Sequence, residues 1–185
     1  MKSLKNLPNI LSVIRIFLIP FFAAAYLGYE DEGYYFLPAS ILIVSGLTDA
    51  FDGFIARKFH FETKFGKIID PLADKLTQFV VCLCIGLKNP VFICLAAVYF
   101  LKEVCMLIGG LLLTRRKIEI VSSKWWGKVG TALFYAVMCV VVFFSNLSVN
   151  IKLYLCIGMA AIITCVFVLY IPEFIKLLKS KNAIE

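Results

Sequence analysis

Six long apolar stretches run through the chain, and each approaches the ~20 residues that a helix needs to cross a bilayer. The chain has 185 residues, of which 62% are hydrophobic, whereas soluble domains are about half apolar. This pattern predicts an all-α integral membrane protein, a single domain over residues 1–185 with six transmembrane helices. The predicted spans are Ile10–Gly28, Tyr34–Arg57, Ile68–Leu87, Pro90–Thr114, Trp125–Asn146 and Ile151–Leu178.

The first span admits a second interpretation, because Arg15 interrupts it. A cleaved signal peptide would also contain a short apolar segment, and Ala23-Ala24-Ala25 is a loose cleavage signal. A retained helix is favoured, since five further spans follow.

Basic residues divide unevenly between the two ends of the predicted bundle. Fourteen of the 19 lie in segments on one side, Lys88 and Lys152 lie on the other, and three fall inside spans. The positive-inside rule then places both termini in the cytoplasm, as does the even number of spans. Because the bases flank the spans and do not form one soluble face, nucleic-acid binding is not indicated. A lipid bilayer with anionic headgroups is the predicted partner, and the cytoplasmic (inner) membrane the predicted location.

Four aspartates, Asp49, Asp52, Asp70 and Asp74, stand within 26 residues of a very apolar region. Each carboxylate costs roughly 3 kcal/mol to place in hydrocarbon on insertion scales. A positive, divalent partner among them would offset this cost. Their hard oxygen ligands favour Mg²⁺ or Mn²⁺, and four carboxylates suffice for two ions, an arrangement that serves phosphoryl displacement.

The spacing of the aspartates predicts that they converge. Asp49 and Asp52 lie three residues apart in the second span. Asp70 and Asp74 lie four residues apart in the third span. Each pair therefore shares one face of its helix. Since a short cytoplasmic loop joins these antiparallel helices, we expect the carboxylates at similar depth, in a site that faces the cytoplasm.

Two glycines and an arginine among these aspartates indicate a phosphate-containing ligand. Gly53 and Gly66 would allow a phosphate or nucleotide close to the backbone, and Arg57 offers a planar fork of donors. Each acidic residue by itself would be interpreted as a loop position, and Asp52-Gly53 as a turn. The complete spacing is not explained in that way, and it favours a diphosphate substrate.

Cation transport is a second class of function that intramembrane carboxylates serve. Such transporters are expected to distribute acidic residues through the membrane, with paired half-repeats. Here the acidic residues gather at one side and no internal repeat occurs. Phosphate chemistry is therefore favoured over transport.

The pattern Asp-x2-Asp-Gly-x2-Ala-Arg-x8-Gly-x3-Asp-x3-Asp over Asp49–Asp74 resembles the signature of the CDP-alcohol phosphotransferase family at all eight fixed positions. The opening run Asn6–Arg15 and the six spans with cytoplasmic termini are also similar to that family. The resemblance implies an enzyme, typically a homodimer, that uses divalent metal to transfer the lipid phosphate of a CDP-linked lipid such as CDP-diacylglycerol to an alcohol, with release of CMP.

The resemblance also implies roles for individual residues. Asp49, Asp52 and Asp70 match metal ligands. Asp74 matches the general base that deprotonates the acceptor hydroxyl, and it is also placed in the metal set. The positions that match CDP-binding residues are Asp52, Gly53, Ala56, Arg57 and Gly66.

The alcohol acceptor is the least constrained part of the prediction. Four basic residues near the cytoplasmic mouth suit an anionic acceptor, although positive-inside bias alone would also place bases there; they are Arg115, Arg116, Lys124 and Lys128. The run Ser122–Thr131 resembles phosphatidylglycerophosphate synthases, which use glycerol 3-phosphate, but Gly130 stands where those usually have lysine. Segments around Asp49 and Lys102 also look like cardiolipin synthases, which use phosphatidylglycerol. Glycerol 3-phosphate is ranked first, and serine, inositol phosphate and choline rank lower.

Lys102 and Glu103 lie in the middle of the fourth span, where unpaired charge is costly. Two roles are open for them. They could form an ion pair with another span, or they could form the floor of the acceptor cavity.

Overall fold

The computed structural model describes residues 7–28, 35–59, 66–115, 125–144 and 146–182; for residues 7–9, 50, 52–59, 66–68, 114–115 and 178–182 it describes the backbone alone. Within these ranges there are six α-helices and no strand, so the predicted all-α fold is confirmed. The helices are α1 (Leu7–Gly28), α2 (Phe36–Phe59), α3 (Gly66–Lys88), α4 (Val91–Arg115), α5 (Trp125–Phe143) and α6 (Val149–Asn182).

The predicted spans agree with these helices to within a few residues at most ends. The largest difference is at the end of α6, which continues to Asn182, four residues past the predicted end of its apolar part. Helix length and span length differ for a physical reason. Backbone hydrogen bonding continues into charged residues such as Lys179, whereas the span ends where the side chains become too polar for hydrocarbon.

In the part of the chain that the structure describes, four helices are long and apolar enough to cross a membrane. Their crossing segments are Ile10–Gly28, Val91–Leu113, Trp125–Phe143 and Val149–Leu177. The apolar part of α2 is shorter, Phe36–Asp49, and the first half of α3 carries charged residues. Six helices are thus confirmed, whereas membrane crossing by α2 and α3, and the orientation of the termini, stay predictions.

The six helices form a closed ring in which each packs against two neighbours. Around the ring the order is α1, α3, α4, α6, α5 and α2, with α2 packing against α1 again. A smaller contact joins α3 to α5 across the ring. Phe92, Leu95, Phe134 and Met138 are among the fully buried side chains of the core. This order places α3 between α1 and α4, so residues from both can reach its acidic end.

The outer surface of the ring is strongly apolar. Large hydrophobic side chains such as Phe17, Leu101 and Ile157 are more than half exposed. Soluble monomers rarely expose large apolar patches. The surface therefore fits a lipid bilayer, in agreement with the predicted integral membrane protein.

The two lysines predicted on the non-cytoplasmic side anchor the turn between α3 and α4. Lys88 Nζ donates a hydrogen bond to the Tyr35 hydroxyl at 3.2 Å and lies 5.3 Å from the centre of the Tyr26 ring. From α6, Lys152 Nζ donates to Asn89 Oδ1 at 3.1 Å. This end of the bundle, opposite the aspartates, is thus closed by cations that hold aromatic and amide groups together.

Candidate active site

The structure brings three of the four predicted aspartates into one region at the acidic end of α2 and α3. Asp49 lies on α2, while Asp70 and Asp74 lie on α3. The Asp49 carboxylate is close enough to both of the others to act on them electrostatically. The two helices do not pack directly as the sequence predicted, because α1 lies between α2 and α3 in the ring. A shared site formed by the four carboxylates stays a prediction.

A third helix, α1, completes this region with two buried polar side chains. Arg15 Nη1 lies 2.6 Å from Asp49 Oδ1, and the Arg15 side chain is 0% exposed. Ser12 Oγ donates a hydrogen bond to Asp70 Oδ1 at 2.5 Å. Ser12 and Arg15 lie three residues apart, so both point from one face of α1 toward the aspartates.

The sequence interpretation treated Arg15 only as an interruption of a span and missed its place in the site. The sequence did contain an indication that Arg15 faces the interior of the bundle. Charged residues inside membrane helices face the bundle interior and find a partner there. The partner could not be named, however, because the contact between α1 and α2 depends on how the helices assemble.

Gln78 is a second residue that sequence reasoning missed. Its Nε2 donates a hydrogen bond to Asp74 Oδ1 at 2.8 Å, and the residue is 5% exposed. Asp74 and Gln78 lie one helical turn apart on α3, a spacing at which amide and carboxylate groups meet. The contact fixes one oxygen of the predicted general base.

The charged pair in the middle of α4 forms an ion network with α3. Lys75 Nζ lies 2.6 Å from Glu103 Oε2, and Lys102 Nζ lies 2.5 Å from Glu103 Oε1. Glu103 is also near enough to Asp74 to interact with it electrostatically. Of the two roles left open, the ion pair with another span is present, and it lies beside the acidic region. A role in acceptor binding stays a prediction.

The predicted CDP-binding residues lie on described backbone, but their side chains lie outside the described part of the structure. Asp52, Gly53, Ala56 and Arg57 belong to the last turns of α2, which runs without interruption to Phe59, and Gly66 is the first residue of α3. The helical spacing that places Asp52 on the face of Asp49 is therefore present. Their contacts with a nucleotide stay a prediction.

The donor set suits a divalent metal in its chemistry, since carboxylate oxygens are the ligands that Mg²⁺ and Mn²⁺ prefer. Among the side chains that the structure describes, no three acidic, histidine or cysteine residues are grouped closely enough to hold an ion. Asp49 is instead paired with Arg15. Because the Asp52 side chain is outside that set, the four-aspartate metal site stays a prediction.

The predicted acceptor-binding bases are described only in part. Lys128 is exposed on α5 and Arg115 ends α4, while Arg116 and Lys124 lie outside the described residues. Gly130 packs against α6, where an added Cβ would lie 3.3 Å from Val166 Cγ2. The glycine at this position is therefore explained by close contact between α5 and α6. The structure does not bring the four bases together as a described cluster.

A small apolar recess lies between α1, α2 and α3. Ser45 and Thr77 line it, and they stand about one helical turn beyond Asp49 and Asp74 respectively. The other lining residues are Leu18, Ile19, Phe22, Ile41, Leu42, Val80 and Val81. The carboxylates therefore lie over an apolar floor, where charge interactions are stronger than in water.

Comparison with known proteins shows the family to which the chain is similar. A family model described as CDP-alcohol phosphatidyltransferase matches residues 5–178. A Haemophilus influenzae protein is 34% identical over 131 residues, which cover 66% of this chain and 68% of that protein. An Aquifex aeolicus protein is 34% identical over 120 residues, 60% and 62% of the two chains. A Rickettsia felis protein is 44% identical over 72 residues, 39% of each chain.

All three relatives carry the name CDP-diacylglycerol–glycerol-3-phosphate 3-phosphatidyltransferase. The matched segment spans only about two fifths of the Rickettsia felis protein, so the similarity to individual relatives is partial. The family match, by contrast, begins before α1 and ends within α6, and it includes every helix that surrounds the acidic region. The chain therefore belongs to the CDP-alcohol phosphatidyltransferase family.

Proposed function

We propose that this chain transfers the phosphatidyl group of CDP-diacylglycerol to glycerol 3-phosphate, forming phosphatidylglycerophosphate and CMP. The observation that carries the proposal is that α1 joins acidic residues of two helices: Arg15 contacts Asp49 of α2, and Ser12, one turn away on the same face, contacts Asp70 of α3. The relatives' names support the same donor and acceptor.

In the proposed reaction Asp74 is the general base. Its carboxylate accepts the proton of the acceptor hydroxyl, and the acceptor oxygen forms a bond to the phosphatidyl phosphorus. The bond from that phosphorus to the bridging oxygen breaks, and CMP leaves with the electron pair. Gln78 engages Oδ1 of Asp74, so the other carboxylate oxygen is the one available to the hydroxyl.

Two metal ions, Mg²⁺ or Mn²⁺, would be held by Asp49, Asp52, Asp70 and Asp74. Bound there, they would supply positive charge to the diphosphate and to the CMP that departs. Arg57 and the glycines Gly53 and Gly66 would bind the CDP moiety together with Ala56 and Asp52.

Glycerol 3-phosphate is preferred as acceptor because its phosphate is a compact anion. Arg115, Arg116, Lys124 and Lys128 would bind it at the cytoplasmic mouth, close to where α4 and α5 meet the membrane surface. Phosphatidylglycerol is the second candidate, because the segment around Lys102 resembles cardiolipin synthases. That residue contacts Glu103, which leaves less positive charge for a phosphomonoester.

The test is CMP release by the purified protein in detergent with CDP-diacylglycerol and Mg²⁺ or Mn²⁺. Glycerol 3-phosphate and phosphatidylglycerol are offered separately, and the lipid products are identified by mass. We expect phosphatidylglycerophosphate from the first acceptor. Cardiolipin from the second acceptor alone would instead identify a cardiolipin synthase.

A control separates enzymatic activity from transport. If neither acceptor produces CMP, the same protein in vesicles is tested for flux of divalent cations. Flux without CMP release would contradict the enzymatic proposal and favour a cation transporter.

The proposal extends to the assembly and its setting. We expect a homodimer in the cytoplasmic (inner) membrane, with the active site open to the cytoplasm, where CMP and glycerol 3-phosphate are soluble. Cross-linking in membranes followed by mass measurement tests the homodimer; a chain that stays monomeric at all cross-linker concentrations would contradict it.

A further inference from the structure

Arg15 is the most completely buried charged side chain in the described part of the protein. It is 0% exposed, and its Nη1 lies 2.6 Å from Asp49 Oδ1. It also acts electrostatically on Asp70 and Asp74. One cation that the protein itself supplies is therefore in reach of three carboxylates assigned to metal binding.

The neighbouring contact of Ser12 with Asp70 shows that α1 is seated against the acidic region along a full turn. Removing Arg15 from this interior would leave carboxylates of like charge facing each other in a medium that screens charge poorly. Their repulsion would disfavour the metal-free fold. A guanidinium at this place reduces that repulsion whether or not metal is bound.

The same contact has an opposite effect on metal binding. A divalent ion near Asp49 is repelled by the Arg15 guanidinium. The ion must also compete with Arg15 for the oxygen atoms of the Asp49 carboxylate. The pairing thus stabilises the empty site and weakens the attraction of the site for metal.

We propose that Arg15 is a built-in counter-ion of the acidic site: it replaces part of the metal charge when metal is absent and lowers the affinity for divalent metal. This inference rests on the metal site of the proposed function. It assigns Arg15 a positioning role through Asp49, and it requires no contact of Arg15 with substrate.

The test measures Mn²⁺ binding without substrate, by loss of the electron paramagnetic resonance signal of free Mn²⁺ in detergent solution. Removing the positive charge while keeping a donor, in Arg15→Gln, should tighten Mn²⁺ binding by about tenfold. Arg15→Lys keeps the charge and should stay within about twofold of the parent protein. Lys88→Gln removes a cation at the opposite end of the bundle, and Mn²⁺ affinity should not change.

The possible results separate this inference from the proposed function. Equal or weaker Mn²⁺ binding by Arg15→Gln, with the parent protein binding Mn²⁺, would overturn the counter-ion role alone. Absence of Mn²⁺ binding by both proteins would overturn the metal site as well. Weaker binding of CDP-diacylglycerol with unchanged Mn²⁺ affinity would make Arg15 a substrate contact and would also overturn the inference.

Thermal unfolding in EDTA supplies a second measurement of the pairing. Asp49→Asn and Arg15→Gln each remove one member of the pair, and each should lower the unfolding temperature. The double variant Arg15→Gln/Asp49→Asn should lower it by less than the sum of the two single changes, because the same contact is lost only once. Additive changes would contradict the pairing.

Discussion

At the scale of single residues, the contacts of the aspartates differ although their sequence pattern treats them alike. Asp49 contacts an arginine, Asp70 accepts from a serine hydroxyl, and Asp74 accepts from a glutamine amide. Of these three described contacts, that of Asp74 is the one made within its own helix. Its orientation is therefore set locally, which suits a residue that must present one oxygen to a hydroxyl.

The roles of Asp70 and Asp74 predict the effect of replacing each carboxylate by an amide. Asp74→Asn should lower the rate of CMP release by at least about 100-fold, since a positioned base contributes that much or more. Asp70→Asn should lower it by a similar factor, because the loss of a carboxylate ligand weakens the hold on the metal charge that would stabilise the diphosphate. Circular dichroism should show unchanged helix content. Full activity in either variant would refute its assigned role.

The hydrogen bond from Gln78 predicts a smaller effect. Gln78→Leu should lower kcat about tenfold, because hydrogen bonds to charged groups contribute about 1.5–3 kcal/mol, while KM for CDP-diacylglycerol should change less than about twofold. Thr77→Val is the matched control, since the Thr77 hydroxyl donates only to the carbonyl of Ala73 among its hydrogen bonds in the structure. Equal kcat in Gln78→Leu and Thr77→Val would show that Asp74 does not depend on this contact.

Whether a side-chain contact could be predicted from the sequence depends on whether its two residues lie close together in the same helix. The aspartates were identified from fixed spacings along two helices, and the Asp74–Gln78 contact could have been found from the same four-residue rule. Arg15 and Asp49 are 34 positions apart. Their contact arises only from the packing of α1 beside α2, which no local pattern encodes.

At the scale of helices, α3 and α4 are joined by charge in a region that is otherwise apolar. Lys75 of α3 and Lys102 of α4 both contact Glu103. The Glu103 side chain is 16% exposed, whereas that of Lys75 is 43% exposed. The network therefore lies at the edge of the core, and solvent or headgroups reduce its strength.

This position predicts a modest loss of stability when the shared anion is removed. Glu103→Gln should destabilise the bundle by about 1 kcal/mol, discounted for the exposure of Lys75, and lower the unfolding temperature by about 2–4 °C. A double-mutant cycle with Lys75→Met should give less than the sum of the single losses. Additive losses would show that the two residues do not interact.

Helix existence was predictable because apolar length is a strong signal, and the bounds differ from the prediction by only a few residues. Neighbour relations were predictable for helices joined by a very short connection, such as α3 with α4, but the expected direct packing of α2 against α3 is replaced by α1, which lies between them in the ring. The contact of α1 with α3 and that of α4 with α6 follow from closing the ring. Closure depends on all six helices at once, so it was not evident from any single segment.

At the scale of the whole molecule, the two ends of the bundle have opposite chemistry. One end holds the aspartates, and the other is closed by Lys88 and Lys152 with their aromatic and amide partners. These two lysines are the bases that the charge count assigned to the non-cytoplasmic side. Because Lys88 and Lys152 make internal contacts, the predicted orientation rests on the remaining basic residues, most of which are predicted to lie at the opposite end.

The orientation of the bundle is tested by fusing green fluorescent protein after Glu185. The positive-inside rule predicts a cytoplasmic C-terminus, where this protein becomes fluorescent. A fusion to alkaline phosphatase, which is active only outside the cytoplasm of bacteria, should be inactive. The reverse pair of results would contradict the orientation and would place the acidic region on the wrong side for soluble glycerol 3-phosphate.

Helix α3 is held by polar contacts near both of its ends. At the acidic end Asp70 contacts α1 and Lys75 contacts α4, and at the far end Lys88 contacts Tyr35. Rotation of α3 about its long axis would break all of these together. These contacts therefore fix the direction in which the carboxylates of α3 point. We expect differences in alcohol preference among related proteins to arise from substitutions on the other helices of the ring, while the orientation of α3 stays the same.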